Sequence, residues 1–306
     1  AYQDCYASLN AGKTLGIGNY DSANIIHSNG KFYLLVGTST SNRDHFYIVD
    51  AKTLYYENSA VVGANLSGLT ILNEQYGLVT GDGIRRIDLK SLNNVRIKNE
   101  RLLCFYNSII YNGKVLSNDT YKDESKVKYY DVNELIAAKE GEAPAVTELD
   151  IIQKQKINFV LAKDGNVYTL ESADNGCNIV KIKNDFTLEK VFANFQPAKG
   201  PYHSSPTIGM VASETENIIY LVSTDGAIFK YILGDSDSLK APFIAAESGV
   251  SITAPLQLNQ QSGELYVTYT EERKDESKIV VYSKDGKVLH TVDCGESVPS
   301  QILFNN

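Results

Sequence analysis

The chain has no tryptophan, one methionine, four histidines and four cysteines among 306 residues. Without Trp, the Trp-Asp class of propeller repeat is excluded, because its signature requires that residue. The histidines His27, His45, His203 and His290 show no H-E-x-x-H or other close ligand spacing, so no catalytic metal site and no cofactor are expected. The cysteines Cys5, Cys104, Cys177 and Cys294 stand far apart with no C-x-x-C pair, which argues against zinc or iron–sulfur binding. Four cysteines allow three disulfide pairings, and the sequence leaves these and isolated buried thiols open. No apolar run approaches the roughly 20 residues of a membrane-spanning helix. Positive charge is also in deficit: Lys+Arg 29 against Asp+Glu 37 gives a formal charge of −8. Nucleic acid and anionic membrane surfaces are therefore not expected as partners.

What is present points to strands. Twenty Tyr and ten Phe, in a chain that is 43% hydrophobic and 22% charged, describe a soluble globular body rich in residues that favour pleated, half-buried surfaces. One stretch, Val132 to Lys139, has helical spacing and is stopped by Gly141 and Pro144, which predicts a short connector helix. Elsewhere short β-branched or aromatic segments alternate, such as Lys31 to Val36, His45 to Asp50 and Glu264 to Tyr269. Between them recur Asn29-Gly30, Asp82-Gly83, Asn112-Gly113, Asp164-Gly165, Asp225-Gly226 and Asp285-Gly286, dipeptides that supply the positive φ angles of tight hairpins.

Aligning the segments reveals a repeat. Tyr33, Gly77, Leu116, Tyr168, Tyr220 and Tyr266 occupy equivalent places 39 to 52 residues apart. In four of the repeats a strand with a polar tail follows, as in Asp50-Ala51-Lys52-Thr53-Leu54 and Asp88-Leu89-Lys90-Ser91-Leu92. Four short strands per repeat is the pattern of a propeller blade. Six repeats are complete. A seventh is expected to be split, with Val298 to Phe304 as its innermost strand and Tyr2 to Tyr20 supplying the others. The expectation is an all-β, seven-bladed β-propeller over residues 1–306, its last blade closed by both termini; six or eight blades, or two stacked sandwiches, remain alternatives.

No catalytic constellation stands out. Gly295-Glu296-Ser297-Val298-Pro299 lacks the second Gly of a nucleophile elbow and precedes a strand. Gly16-Ile17-Gly18 and Gly81-Asp82-Gly83 lack the helix that would aim amides at a phosphate. Asp235-Ser236-Asp237-Ser238 lacks the Gly and closing Glu of a calcium loop, and Ser223-Thr224-Asp225-Gly226 lacks the Trp that packs beneath an Asp box, so both read as turns. What remains is a surface. Links into innermost strands (Phe105 to Ser108, Asn158-Phe159, Tyr202 to Pro206, Ser251 to Pro255) and the tips joining second to third strands gather Tyr and Phe beside Asn, Ser and Arg. Rigid rings give contact area while amides and hydroxyls fix orientation, which suits a bulky amphipathic ligand. Arg43, Tyr106, Asn107, Tyr121, Phe159, Tyr202, His203 and Arg273 are the candidate contacts.

The phrases Asn29 to Tyr33, His45 to Leu54 and the ending Ser297 to Asn305 resemble the YncE-like seven-bladed propellers exported as lipoproteins in Bacteroidetes. Within that group the size and ending are similar to the cobalamin-capturing surface lipoproteins that cap TonB-dependent transporters. The resemblance implies a non-enzymatic protein, anchored at the outer membrane or cell surface by a lipidated cysteine upstream of Ala1. It would capture cobalamin, or a siderophore or glycan, for a TonB-dependent importer. Where those proteins open with an Asn-Glu-Gly turn, this chain has Leu9-Asn10-Ala11-Gly12, which bears on the ligand more than on the fold. A protein-interaction scaffold and a lactonase-like enzyme are the alternatives.

Overall fold

A computed structural model describes residues 9–10, 20–38, 44–63, 66–81, 83–98, 108–118, 125–142, 144–153, 158–174, 176–196, 209–271, 276–295 and 302. The chain forms two compact units, Ala1–Asp150 with Asn305–Asn306, and Ile151–Phe304. In the first, β1 (Tyr20–Ser28), β2 (Lys31–Thr38), β3 (Asp44–Asp50) and β4 (Tyr56–Gly63) form one antiparallel sheet in chain order. The second sheet is β5 (Leu66–Ile71), β6 (Tyr76–Gly81), β7 (Gly83–Asp88) and β8 (Asn94–Lys98). The third is β9 (Ile109–Tyr111), β10 (Lys114–Asn118), β11 (Ser125–Asp131) and β12 (Val146–Gln153), with the expected helix α1 (Val132–Ala137) between its last two strands; Ile151 to Gln153 of β12 already belong to the second unit.

In the second unit, β13 (Val160–Leu161), β14 (Val167–Ala173), β15 (Gly176–Ile182) and β16 (Leu188–Phe195) form the fourth sheet. The fifth has three strands, β17 (Met210–Ala212), β18 (Ile218–Val222) and β19 (Ile228–Ile232). The sixth holds β20 (Val250–Ile252) and β21 (Gln257–Leu258), both paired with β22 (Leu265–Glu271), followed by β23 (Ser277–Tyr282) and β24 (Val288–Gly295). These are the meandering blades of a β-propeller, and the six aligned landmarks Tyr33, Gly77, Leu116, Tyr168, Tyr220 and Tyr266 each fall on the second strand of a sheet.

The blade count is six among the described residues, not the expected seven. Of the segments assigned to a split seventh blade, Leu9, Asn10 and Ile302 are described as lying outside any strand, and Tyr20 opens β1 of the first blade; the remaining positions lie outside the described residues. Asn10 is committed elsewhere. Its Nδ2 donates to the Leu54 carbonyl at 2.8 Å and its Oδ1 accepts from the Tyr56 amide at 2.6 Å, so the side chain pins the turn between β3 and β4. Four strands per repeat also fails once. After β19, Gly234, the polar run Asp235 to Ser238 and Pro242 replace a β-branched segment, and the fourth strand shrinks to a single bridge between Ile228 and Ile244.

Cores lie between consecutive sheets of each unit. Tyr33, Leu35, Phe46 and Ile48 of the first sheet meet Leu69, Val79 and Ile87 of the second, and Leu170, Ile179 and Val160 of the fourth meet Ile219, Leu221 and Tyr231 of the fifth. A second strand is therefore covered on both faces. Ile218 to Val222 is buried at every position, so it reads as a continuous apolar run where a one-sided strand would alternate. Each large side chain so buried contributes about 1.5–3 kcal/mol. Outer strands β4, β8, β16 and β24 carry β-bulges against their third strands, which twist an open edge away from pairing with another chain.

The turns fall into two chemical kinds. Asn29-Gly30 and Asn112-Gly113 have φ of 52° and 68°, and 47° and 71°, the two successive left-handed residues of a two-residue hairpin. In the Asp-Gly turns of the second unit, only the glycine is left-handed. There Gly165, Gly226 and Gly286 donate to the carbonyls of Ala162, Ser223 and Ser283, respectively. The polar tails after third strands share a third device. Asp50 Oδ1 accepts from the amides of Lys52 and Thr53, Asp88 Oδ1 from those of Lys90 and Ser91, and Asp131 Oδ1 from those of Asn133 and Glu134, capping α1.

Bonds from Thr53 hold the Asp50 carboxyl below its ordinary range, the Ser91 amide does the same for Asp88, and the Lys114 ammonium for Asp131. A carboxyl whose folded pKa is depressed stabilises the fold fully above its unfolded value, about 4, and loses that contribution as pH falls through the folded value. Thermal melts are expected to decline on acidification below about pH 4, and Asp88→Asn, which keeps an acceptor without the charge, to flatten that decline. At Gly83, φ is 99° and an added Cβ would stand 2.6 Å from the Lys98 carbonyl, whereas Gly113 has open space. Urea titration is expected to show Gly83→Ala costing about 2 kcal/mol or more and Gly113→Ala about 1 kcal/mol.

Candidate ligand-binding face

Alternating strand direction gives each sheet two ends. Turns between first and second strands, and between third and fourth, lie at one; the segments from second to third strands, and the links into first strands, leave from the other, here called the link end. In chain order Arg43 falls between β2 and β3, Tyr106 and Asn107 before β9, Tyr121 between β10 and β11, Tyr202 and His203 before β17, and Arg273 between β22 and β23. These seven lie outside the described residues. The strand ends that flank them are link ends in every case. Phe159 is described: it immediately precedes β13 and is 7% exposed.

A buried polar network underlies the link end in the second unit. Gln153, at the end of β12 and 1% exposed, donates through Nε2 to Thr169 Oγ1 at 3.0 Å and to the Leu170 carbonyl at 2.9 Å. Thr169 Oγ1 in turn donates to the Asn158 carbonyl at 3.1 Å, and Asn158 Nδ2 donates to the Met210 carbonyl at 2.6 Å. Asn158 therefore ties the start of β13 to β17, while its own Oδ1 is buried without a partner. In the sixth sheet, Ser251 and Ile252 prove to be strand, paired with Thr270 and Tyr269, so the expected link is shorter than Ser251 to Pro255. Thr253 beside them shares a 2.8 Å hydroxyl contact with Thr270. Tyr269 and Tyr282 share a hydroxyl contact at 3.1 Å, and burial followed by that bond raises the Tyr269 phenol.

Several motifs resolve as structure. Ser223 and Asp225 bond one another across the β18–β19 turn, and the Ser223 hydroxyl followed by the Ala227 amide holds the Asp225 carboxyl low. Asp235 caps a 3-10 turn over Ser236–Leu239. Cys177 is buried on β15, and the Cys294 thiol faces the Val292 carbonyl at 3.7 Å. Cys5 and Cys104 lie outside the described residues. Among the described residues no three His, Cys, Asp or Glu side chains come together as a metal site, and no helix is long and apolar enough to cross a membrane.

Sequence reasoning missed Gln153 and Thr169, which look unremarkable until the fold brings the end of β12 within hydrogen-bond reach of β14. It also missed a pairing of Tyr and Lys across second and third strands: Tyr168 with Lys181, Tyr220 with Lys230 and Tyr269 with Lys278, each ammonium 5.8 to 6.0 Å from its ring centre. Such contacts contribute roughly 0.5–1 kcal/mol each at partly exposed sites. The signal was available once register was known.

The class defined by these sheets is the β-propeller, and solved structures agree. Streptogramin B lyase is 14% identical, with 90% of this chain and 84% of that one covered at a TM-score of 0.52. A functionally unknown protein from Desulfotomaculum acetoxidans is 12% identical, covering 92% and 88% at 0.57. A catalytically inactive virginiamycin B lyase from Staphylococcus aureus with quinupristin is 14% identical, covering 96% and 92% at 0.55. At such identities the likeness shows the fold. The chain belongs to the family described as a domain of unknown function, DUF5074, which matches residues 1–305. No curated protein matches it in sequence.

Replacing Gln153 by Leu leaves the Leu170 carbonyl and the Thr169 hydroxyl without a buried donor, so Gln153→Leu is expected to cost about 1–3 kcal/mol in urea titration. An unchanged midpoint would remove the network from the account of this face.

Proposed function

We propose that the chain is a non-enzymatic binding propeller that captures a bulky, amphipathic nutrient of the cobalamin kind at its link end. In this reading it is lipid-anchored at the outer membrane or cell surface and passes its cargo to a TonB-dependent importer. The carrying observation is topological. By chain order the candidate contacts belong to links into first strands or to segments joining second to third strands, so within each unit strand connectivity assigns them to the link end of their own sheets. Rings of Tyr supply stacking area, while Phe159 is buried in the core, and Arg, Asn and His hold polar groups at the ligand's rim. The likeness to cobalamin-capturing lipoproteins supports the ligand class and the importer, and the formal charge of −8 suits a partner other than nucleic acid.

Binding to the folded state alone must raise its stability by mass action, by about 2.7 kcal/mol at a ligand concentration one hundred times Kd. Calorimetric titration with cyanocobalamin is expected to give saturable heat and an upward shift in melting temperature. Neither heat nor shift would remove the vitamin from the reading. Tyr202→Ala and Arg273→Ala are expected to weaken the titration without lowering the melting temperature of the unliganded protein.

A further inference from the structure

The irregular fifth sheet opens a groove at the opposite end of the sheets. Where a fourth strand would follow β19, the chain turns through Gly234, with φ of 87°, into the 3-10 turn at Ser236–Leu239. This leaves a cavity of about 440 Å³ between that turn and β15 and β16 of the fourth sheet. Its wall includes Asp164, Lys181, Glu189, Lys190 and Asn217, over the buried ring of Tyr231. A shallower depression of about 430 Å³ beside it shares Lys181. The volume of the groove falls within the range of about 300–1,000 Å³ usual for small-molecule sites.

The chemistry of the wall narrows the ligand. Two ammonium groups and two carboxylates leave it without net charge, and each charge already has a protein partner. Lys181 lies 2.8 Å from Asp164, Glu189 2.8 Å from Lys183, and Lys190 3.2 Å from Glu171. An anion would meet Asp164 and Glu189, and a cation would meet Lys181 and Lys190. A paired ammonium or carboxylate still has donor or acceptor positions to spare, and Asn217 offers both kinds. Tyr168 stiffens the floor: its hydroxyl donates to Asp164 at 2.8 Å, and burial followed by that bond raises the phenol, which stays a donor. Burial opposes the charge on Asp164, but bonds from Lys181, Tyr168 and Asn166 outweigh it and hold the carboxyl below its ordinary range. The fitting partner is uncharged and dense in hydroxyls that both give and accept hydrogen bonds.

We infer that this groove binds a neutral saccharide, at a site separate from the link end and independent of the cobalamin reading. Saturation-transfer NMR with maltose, lactose and N,N′-diacetylchitobiose at millimolar concentration tests it, with glucuronate and glucosamine as charged comparisons. Transfer to at least one neutral disaccharide, exceeding that to either charged sugar, is the expected result. Glu189→Gln and Asn217→Ala are each expected to weaken binding about tenfold, the loss of one hydrogen bond to a ligand. Should Glu189→Gln alter the melting temperature, Asn217→Ala alone decides. No transfer to any neutral probe, equal transfer to the charged ones, or undiminished transfer in the deciding variant overturns the inference. Excess cyanocobalamin leaves the saccharide signal unchanged if the two sites are distinct, whichever way the vitamin titration falls.

Discussion

Burial of one sheet's face against the next is the constraint on which the other features depend. A four-stranded meander cannot cover its own apolar faces, and here Phe46 and Leu35 are covered by the second sheet while Leu170 and Ile179 are covered by the fifth. The second strand carries the greatest share of this burial, which is why Ile218 to Val222 has no solvent side at all. Outer strands can then be polar, exposed and bulged, because the stability of a blade comes from its inner half.

Such stacking leaves the turns free to differ, and they divide the labour by chemistry. Asparagine tolerates a left-handed backbone, so Asn-Gly closes the tightest hairpins; aspartate stays right-handed and leaves the left-handed position to glycine. Aspartate at the end of a third strand instead collects the amides of the following turn, from Asp50 to Asp131. These local devices fix where strands stop at the end of the sheets opposite the link end.

The two ends of the sheets carry different chemistry. At the link end of the second unit, Gln153, Thr169 and Asn158 spend hydrogen bonds internally and tie the start of β13 to β17. At the other end, the loss of a regular fourth strand after β19 turns what would be an outer edge into a groove walled by paired charges.

Much of the fold was legible in the sequence. Hairpin dipeptides, β-rich segments and a recurring landmark identified all six second strands, and the spacing of Val132 to Lys139 identified α1, because turn geometry and strand preference are local properties. Partnership was not legible. Asn10 lies in the stretch expected to supply part of a seventh blade, but its side chain clamps Leu54 and Tyr56, and the described residues form six sheets. Phe159 was read as a contact and lies buried beside β13, while Lys181 attracted no notice and stands at the wall of a groove. The sequence by itself determined strand, turn and repeat, since these depend on neighbours along the chain. Only the tertiary structure decided which sheet covers which, which polar groups meet and where a cavity remains, since these depend on residues brought together across sheets.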